Sequence, residues 1–285
     1  MKISYLGPEG SYTHIAAKNI AGLAPAELIS ISTITNIVHD LSMGLVDRAI
    51  VPVENSIAGG VAETIEALQR VDNVYVINEY ILPINHCLLA VKGSTIKSNL
   101  SQATKVRAHH MALGQCMDFI RKNISNAEIV PSSSNSAAAR DLRLRQDKGE
   151  DVSKHVVIAN ELCAETYDLE IIQRSINDSD INETRFWVLS KQLGDYNTQA
   201  KNKSTILFQT KDEPGSLQVI LRLFAVNNVN LSRIESRPAK KNIGEYMFLV
   251  DLDLHKEDPR YEVLMRQARQ HFSYFKWLGS YSLLA

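Results

Sequence analysis

The stretch Asn182-Glu183-Thr184-Arg185-Phe186-Trp187-Val188-Leu189 sets a hydroxyl and a guanidinium side by side at the mouth of an apolar strand. A neutral donor beside a cation suits a small anionic ligand that must lose water. Where this strand pairs decides the fold. Upstream, short apolar strands alternate with amphipathic helices, the pattern of an α/β architecture. If the Thr184 strand rejoins the sheet of the first 80 residues, the chain forms two lobes joined by two crossings. Ligands in such sheets sit beyond the carboxyl ends of the strands.

At the N-terminal end, Ile3 to Leu6 reads as a strand and Ser11 to Ala21 as a helix. Ala49 to Val53 reads as a strand feeding a helix from Val61 to Arg70. The apolar runs Val74 to Ile84 and Cys87 to Val91, interrupted at Pro83, carry the chain into a second lobe that begins near residue 80. There the periodicity predicts a helix over Met111 to Arg121, a strand over Ala127 to Val130, a helix over Asn135 to Arg145 and a strand over Val156 to Ala159. The chain returns through Glu170 to Ile172 and the turn-rich Asn177 to Asp180.

Residues 191–203 are polar and unpatterned, a linker. The remaining C-terminal segment reads β-α-β-β-α-β: strands over Ser204 to Gln209, Leu231 to Ser236, Tyr246 to Leu252 and near Phe275 to Tyr281, with helices over Gly215 to Ala225 and Arg260 to His271. That order is ferredoxin-like.

The 285 residues, 45% hydrophobic, suffice for two or three domains with real cores. With 31 basic and 32 acidic side chains the net charge is -1, so no nucleic-acid or membrane surface is expected. Lys2 passes straight into Ile3-Ser4-Tyr5-Leu6 without an apolar leader core, so no signal peptide is read and the expected compartment is the cytoplasm. Cys87, Cys116 and Cys163 are an odd number with no C-x-x-C pair, which speaks for buried small apolar residues and against a disulfide framework or zinc site.

Three polar helix starts fall at strand ends. Gly7-Pro8-Glu9-Gly10 permits a tight turn, after which Ser11 or Thr13 caps a helix, with Tyr12 between them. Glu54-Asn55-Ser56 repeats the arrangement after Pro52-Val53, and Ser134-Asn135-Ser136 repeats it on the second lobe. Helix N-termini converging on one cleft bind anions without side-chain charge. Arg185 would add bidentate pairing to a carboxylate.

In this order the motifs resemble the catalytic region of prephenate dehydratases, and the resemblance covers nearly the whole chain. The C-terminal Asp212-x-Pro214-Gly215-Ser216-Leu217, Asn230-Leu231 and Glu235-Ser236-Arg237-Pro238 resemble the ACT regulatory domain of the same family. The resemblance implies a two-lobed, periplasmic-binding-protein-like α/β catalytic region at 1–190, with lobe 1 at about 1–79 plus 176–190 and lobe 2 at about 80–175. It implies an α+β ferredoxin-like ACT domain at 204–285.

It further implies conversion of prephenate to phenylpyruvate without a cofactor, in phenylalanine biosynthesis, with prephenate supplied by another protein. Thr184, Arg185 and Glu54 are the implied catalytic residues. Ser11, Tyr12, Thr13, Asn55, Ser56, His109, Ser134, Asn135, Ser136 and Phe186 are implied to hold substrate. Gly215, Ser216, Leu217, Asn230, Leu231, Glu235, Ser236, Arg237 and Pro238 are implied to bind inhibitory phenylalanine between paired domains, hence in a homodimer or homotetramer. A Thr hydroxyl is a poor acid, so Thr184 would support the departing hydroxide electrostatically.

The family commonly reads Tyr-Ser-His-Pro-Gln where this chain has Arg107-Ala108-His109-His110-Met111, so only His109 of the His-Pro-Gln core matches. Gly60 stands where Ser or Thr is usual. Arg107 becomes the candidate to take over an anion contact. The competing readings are an arogenate dehydratase, a non-aromatising prephenate decarboxylase, which is expected to lack the Thr of Thr-Arg-Phe, and a non-catalytic amino-acid sensor.

Overall fold

The computed structural model describes residues 1–22, 25–193, 202–239 and 246–284. Most of the expected linker, residues 194–201, lies outside the described residues. Contacts divide the chain into two units, one of residues 1–37, 50–64 and 81–186, the other of residues 38–49, 65–80 and 187–285.

The chain opens with β1 (Lys2–Leu6), α1 (Tyr12–Ala21), β2 (Glu27–Ile31), α2 (Ile34–Met43), β3 (Arg48–Asn55), β4 (Gly59–Gly60), α3 (Ala62–Gln69) and β5 (Tyr75–Pro83). It continues with β6 (Cys87–Val91), β7 (Lys105–Ala108), α4 (His110–Gln115), α5 (Met117–Asn123), β8 (Glu128–Pro131), α6 (Asn135–Asp147), β9 (His155–Ala159), α7 (Glu161–Thr166), β10 (Leu169–Gln173) and β11 (Glu183–Ser190). The first unit contains two sheets. One runs β11-β3-β1-β2, so the Thr184 strand does return to the first lobe, and the other runs β10-β6-β9-β7-β8.

The second lobe shows why continuous apolar strands are needed. Along β6 and β9, Leu88, Ala90, Val156 and Ile158 face one way, onto Ala112, Leu113 and Ile120 of α4 and α5. Cys87, Leu89, Val157 and Ala159 face the other way, onto Ala138, Leu142 and Cys163 of α6 and α7. Alternate side chains leave a strand on opposite faces, so a sheet covered by helices on both must be apolar throughout. All three cysteines are buried and free, as small apolar residues.

The predicted helix over Met111 to Arg121 is instead two, broken at Cys116. Asp178, from the return segment, accepts from Asp118 N (3.1 Å) and Phe119 N (3.2 Å) and so caps α5. The two crossings run side by side. Ile84 N donates to Asn182 O at 2.7 Å, Ile176 N to His86 O at 2.9 Å, and the Asn177 amide bridges His86 N and Ile84 O.

The second unit contains β12 (Asn202–Thr210), α8 (Ser216–Val226), β13 (Leu231–Pro238), β14 (Tyr246–Leu252), α9 (Pro259–Ala268) and β15 (Phe272–Leu283). The strands lie in the order β13-β14-β12-β15, the arrangement of a ferredoxin-like fold. Ile206, Phe208, Val250 and Leu252 pack against Ile220, Phe224 and Leu264 of the two helices. This unit also takes in segments 38–49 and 65–80, which the sequence reading groups with the first lobe. β15 pairs in parallel with β5 at Gly279↔Val76, where a Cβ on Gly279 would lie 2.2 Å from Val76 O. Lys203 and the buried Glu79 form an ion pair at 2.7 Å.

Candidate active site

Asn55 organises the site from the end of β3. Its Oδ1 accepts from Ile57 N (3.1 Å) and Ala58 N (2.9 Å), a side-chain turn that fixes the amide orientation. The Nδ2 is thereby aimed at β11, where its two protons are shared among Thr184 Oγ1 (3.0 Å), Asn182 Oδ1 (2.9 Å) and Glu183 O (3.0 Å). Ser56 adds two bonds to the same strand: its N donates to Glu183 O and its Oγ accepts from Glu183 N. Because Thr184 Oγ1 accepts a hydrogen bond from Asn55, its own proton points elsewhere.

Arg185 lies next along β11, and its Nη2 meets Glu54 Oε2 at 2.5 Å. The arginine side chain is 12% exposed against 38% for the carboxylate, so the guanidinium is nearly out of water while its partner reaches solvent. Phe186, implied to contact substrate, is instead a core residue at 1% exposure.

The glycine turn lies between β1 and α1. Ser11 caps α1 by accepting from His14 N, and its Oγ donates to Leu6 O at 2.9 Å. Gly10 has φ +79°, its N–H donates to His14 Nδ1 (3.0 Å), and its carbonyl accepts from Asn160 Nδ2 (2.7 Å) and Cys163 Sγ (3.2 Å). Burial pushes the Cys163 thiol up to about 12, so it stays protonated as that donor. The carbonyl of Glu9 accepts from Tyr167 OH at 2.8 Å and from Ser136 Oγ. Four side chains of the second lobe therefore hold two carbonyls of the first. Ser136, implied to hold substrate, is buried and occupied in this clasp. Thr13 is buried as well, while Tyr12 donates its hydroxyl to Asn85 O at 2.7 Å.

On the second lobe, Ser134 caps α6 by accepting from Ala137 N (2.9 Å), and Asn135 Oδ1 accepts from His109 N (2.8 Å). Two implied substrate residues are thus joined at adjacent helix starts. The His109 ring lies 4.1 Å from that of His110, and burial lowers its pKa, favouring the neutral imidazole. Arg107, the candidate for an anion contact, already has a carboxylate partner. It faces α6 and pairs with Asp141 at 2.8 Å.

In the second unit Gly215, at φ +86°, starts α8. With Ser216, Lys211, Glu213, Gln218 and His271 it lines a cavity of about 430 Å³. Leu217 packs against the core instead. Asn230 Nδ2 donates to Asp253 Oδ2 at 2.6 Å, at the entry to β13 that Leu231 begins. On β13 Glu235 holds Arg233 (2.6 Å) and Arg237 (2.9 Å), while Ser236 and Pro238 are exposed. Residues 230–238 stand outside the cavity's lining.

Sequence reasoning missed His86, Gln115 and Asn160. Each is bonded to elements far away in the chain, so no local spacing signals it. Asn160, one residue past an apolar strand, at least carries the signature of a helix cap.

A model of the family described as prephenate dehydratase matches residues 3–193 of this chain. The bifunctional chorismate mutase/prephenate dehydratase of Aquifex aeolicus (strain VF5) is 36% identical over 281 residues, 99% of this chain and 73% of that protein. The prephenate dehydratase of Lactococcus lactis subsp. cremoris (strain MG1363) is 34% identical over 255 residues, 89% of this chain and 87% of that one. Among solved structures, the prephenate dehydratase from Arthrobacter aurescens in complex with L-Phe superposes with a TM-score of 0.88 at 31% identity, covering 99% of this chain and 90% of that chain.

Proposed function

The chain belongs to the prephenate dehydratase family, and from this premise we propose that Thr184 supports the hydroxide that leaves prephenate. The reaction converts prephenate to phenylpyruvate, carbon dioxide and water. The bond from the ring to its carboxylate breaks to release carbon dioxide, and its electron pair completes the aromatic ring. The ring carbon–oxygen bond breaks, and the hydroxide takes a proton to become water.

One observation carries the assignment: Asn55 Nδ2 donates to Thr184 Oγ1, which leaves the threonine proton to face the departing oxygen. A donor held before the charge develops needs no reorganisation as the bond breaks. Arg185, beside it on β11, is the cation for a substrate carboxylate, with Glu54 fixing its guanidinium. The N-terminal turns of α1 and α6, capped by Ser11 and Ser134, supply neutral donors. Asn55, Ser56, Tyr12, His109 and Asn135 frame the cleft in this reading.

Residues 1–190 form the catalytic region in this reading, with lobes at 1–79 plus 176–190 and 80–175, and residues 204–285 form an ACT domain. The β-α-β-β-α-β order and the cavity at Gly215 and Ser216 support a phenylalanine site there, as does the L-Phe in the Arthrobacter aurescens relative. Phenylalanine then inhibits by its differential affinity for two arrangements of the chain. A homodimer or homotetramer in the cytoplasm completes the reading. Among the described residues no helix is long and apolar enough to cross a membrane.

The test is product formation from purified protein with prephenate or arogenate, each with and without phenylalanine, for the native chain and Thr184→Ala. Phenylpyruvate from prephenate, suppressed by phenylalanine and lost in Thr184→Ala, is the expected result. Turnover of arogenate alone overturns the substrate, and an undiminished kcat in Thr184→Ala overturns the role of the threonine.

A further inference from the structure

A chain of side-chain hydrogen bonds leads from Thr184 into the crossings and ends on a histidine that the dehydration chemistry does not use. Asn55 Nδ2 donates to Thr184 Oγ1 and to Asn182 Oδ1. Asn182 Nδ2 donates to Gln115 Oε1 at 3.0 Å, and His86 Nε2 lies 2.8 Å from the same oxygen. His86 Nδ1 lies 2.9 Å from Tyr12 OH, at the first residue of α1. His86 is 2% exposed and sits in the first crossing, with Asn182 in the second.

The polarity of this chain is determined link by link. Two backbone N–H groups, of Ile57 and Ala58, hold Asn55 Oδ1 and so direct its nitrogen outward. The Asn55 nitrogen requires an oxygen on Asn182, and the Asn182 nitrogen requires an oxygen on Gln115. An amide oxygen has no proton to give, so His86 must present Nε2–H to it, which leaves the Nδ1 lone pair to share the single Tyr12 hydroxyl proton with Asn85 O. Burial lowers the pKa of His86, in keeping with this neutral tautomer.

We propose that His86 is a positioning residue for the dehydration, holding Gln115 and Asn182 so that Asn55 keeps its N–H on Thr184. It touches no substrate and acts only through the amides. Its place in the crossings ties the Thr184 hydroxyl to both of them and, through Tyr12, to the turn that opens α1. The inference rests on the reading of Thr184 as donor to the leaving oxygen.

The test compares His86→Leu, which removes both nitrogens, with His86→Gln, which keeps an amide donor at the Nε2 position. One ordinary hydrogen bond is worth about tenfold in rate, so His86→Leu should lose about tenfold in kcat at an unchanged KM, and His86→Gln should recover to within about threefold of the native chain. In an Asn55→Ala background, where the chain is already cut, the same His86→Leu step should cost less than about twofold.

An undiminished kcat in His86→Leu overturns the proposal, as does a full tenfold loss in the Asn55→Ala background or a change confined to KM. If His86→Leu fails to fold, Gln115→Leu breaks the same link and carries the same expectations. Loss of turnover in Thr184→Ala with full activity in His86→Leu defeats this inference alone. Full activity in Thr184→Ala defeats the reading of the threonine itself.

Discussion

Asn55 and Thr184 meet at 3.0 Å across neighbouring strands, with the amide as donor and the hydroxyl as acceptor. Reversing that polarity should be worse than removing it. In Asn55→Asp a carboxylate replaces the donor and draws the Thr184 proton to itself, away from the leaving group. The expected loss in kcat is roughly a hundredfold, the scale of one misplaced catalytic donor. Asn55→Ala should lose less. Steady-state kinetics beside thermal unfolding checks this, and equal activity in the aspartate variant would sink it.

In the proposed function Arg185 serves Glu54, its observed partner, and a substrate carboxylate with one planar fork. Lysine offers a point charge in place of two parallel donors. Arg185→Lys should therefore lower kcat/KM for prephenate by about tenfold or more while leaving the unfolding midpoint close to native. A variant that keeps native kcat/KM would show that charge alone suffices.

Gly10 and Gly149 share nearly the same backbone, at φ +79° and +78°, and differ in surroundings. A Cβ at Gly10 would stand 3.0 Å from Cys163 Sγ and Ser136 Oγ, whereas one at Gly149 meets nothing within 4 Å. Gly149→Ala should cost about 1 kcal/mol of stability from backbone strain alone. Gly10→Ala should cost more, because the clasp between the lobes must open to admit the methyl. Denaturant unfolding of the two variants gives the comparison, and equal losses would mean that the clasp contributes nothing.

Stability should fall as the solution is acidified below the ordinary histidine value of 6.5. His14, His86, His109, His155 and His255 all have folded pKa values lowered by burial. A group with a depressed folded value stabilises above its unfolded pKa, and that contribution is lost as pH falls through the folded one. Asp151 and Asp168 act in the same direction at lower pH, beneath the ordinary 3.8, where hydrogen bonds from Ser153 and from Lys92 hold them down. The melting temperature should drop between pH 7 and 5, and less steeply in His86→Gln. A flat profile would contradict the buried neutral imidazoles.

Glu235 neutralises Arg233, whose side chain is 7% exposed. Glu235→Gln should destabilise the chain by about 3 kcal/mol, because it leaves a buried cation without its partner. Denaturant unfolding of the variant beside the native chain measures the loss.

Local chemistry explains what was legible in the sequence. The Thr184 strand and the caps at Ser11 and Ser134 declare themselves in a few neighbouring residues, and the ferredoxin-like order follows from such local periods taken in succession from β12 to β15. The break at Cys116 did not, since the cap that splits the helix comes from Asp178, 60 residues on. Phe186 misled because the motif that names it does not say how deeply its position is buried. Ser136 misled because a capping serine and an interlobe donor look alike in sequence. The attachment of residues 65–80 to the second unit is set by β15, and no pattern near Val76 announces that partner.

Asn55 and Thr184 are also 129 residues apart in the chain. At ribosomal rates of about 5–20 residues per second, the first half of this hydrogen-bonded pair waits roughly 6–25 s for the second. Through that interval β3 lacks the strand that finally covers it, and its apolar Ile50, Val51 and Val53 have no finished sheet to enter. Closing so long a loop slows folding and exposes an open edge to other chains. The nascent protein is therefore most vulnerable to aggregation before residue 190 has emerged, and a chaperone that shields β3 would act on the active site before that site exists.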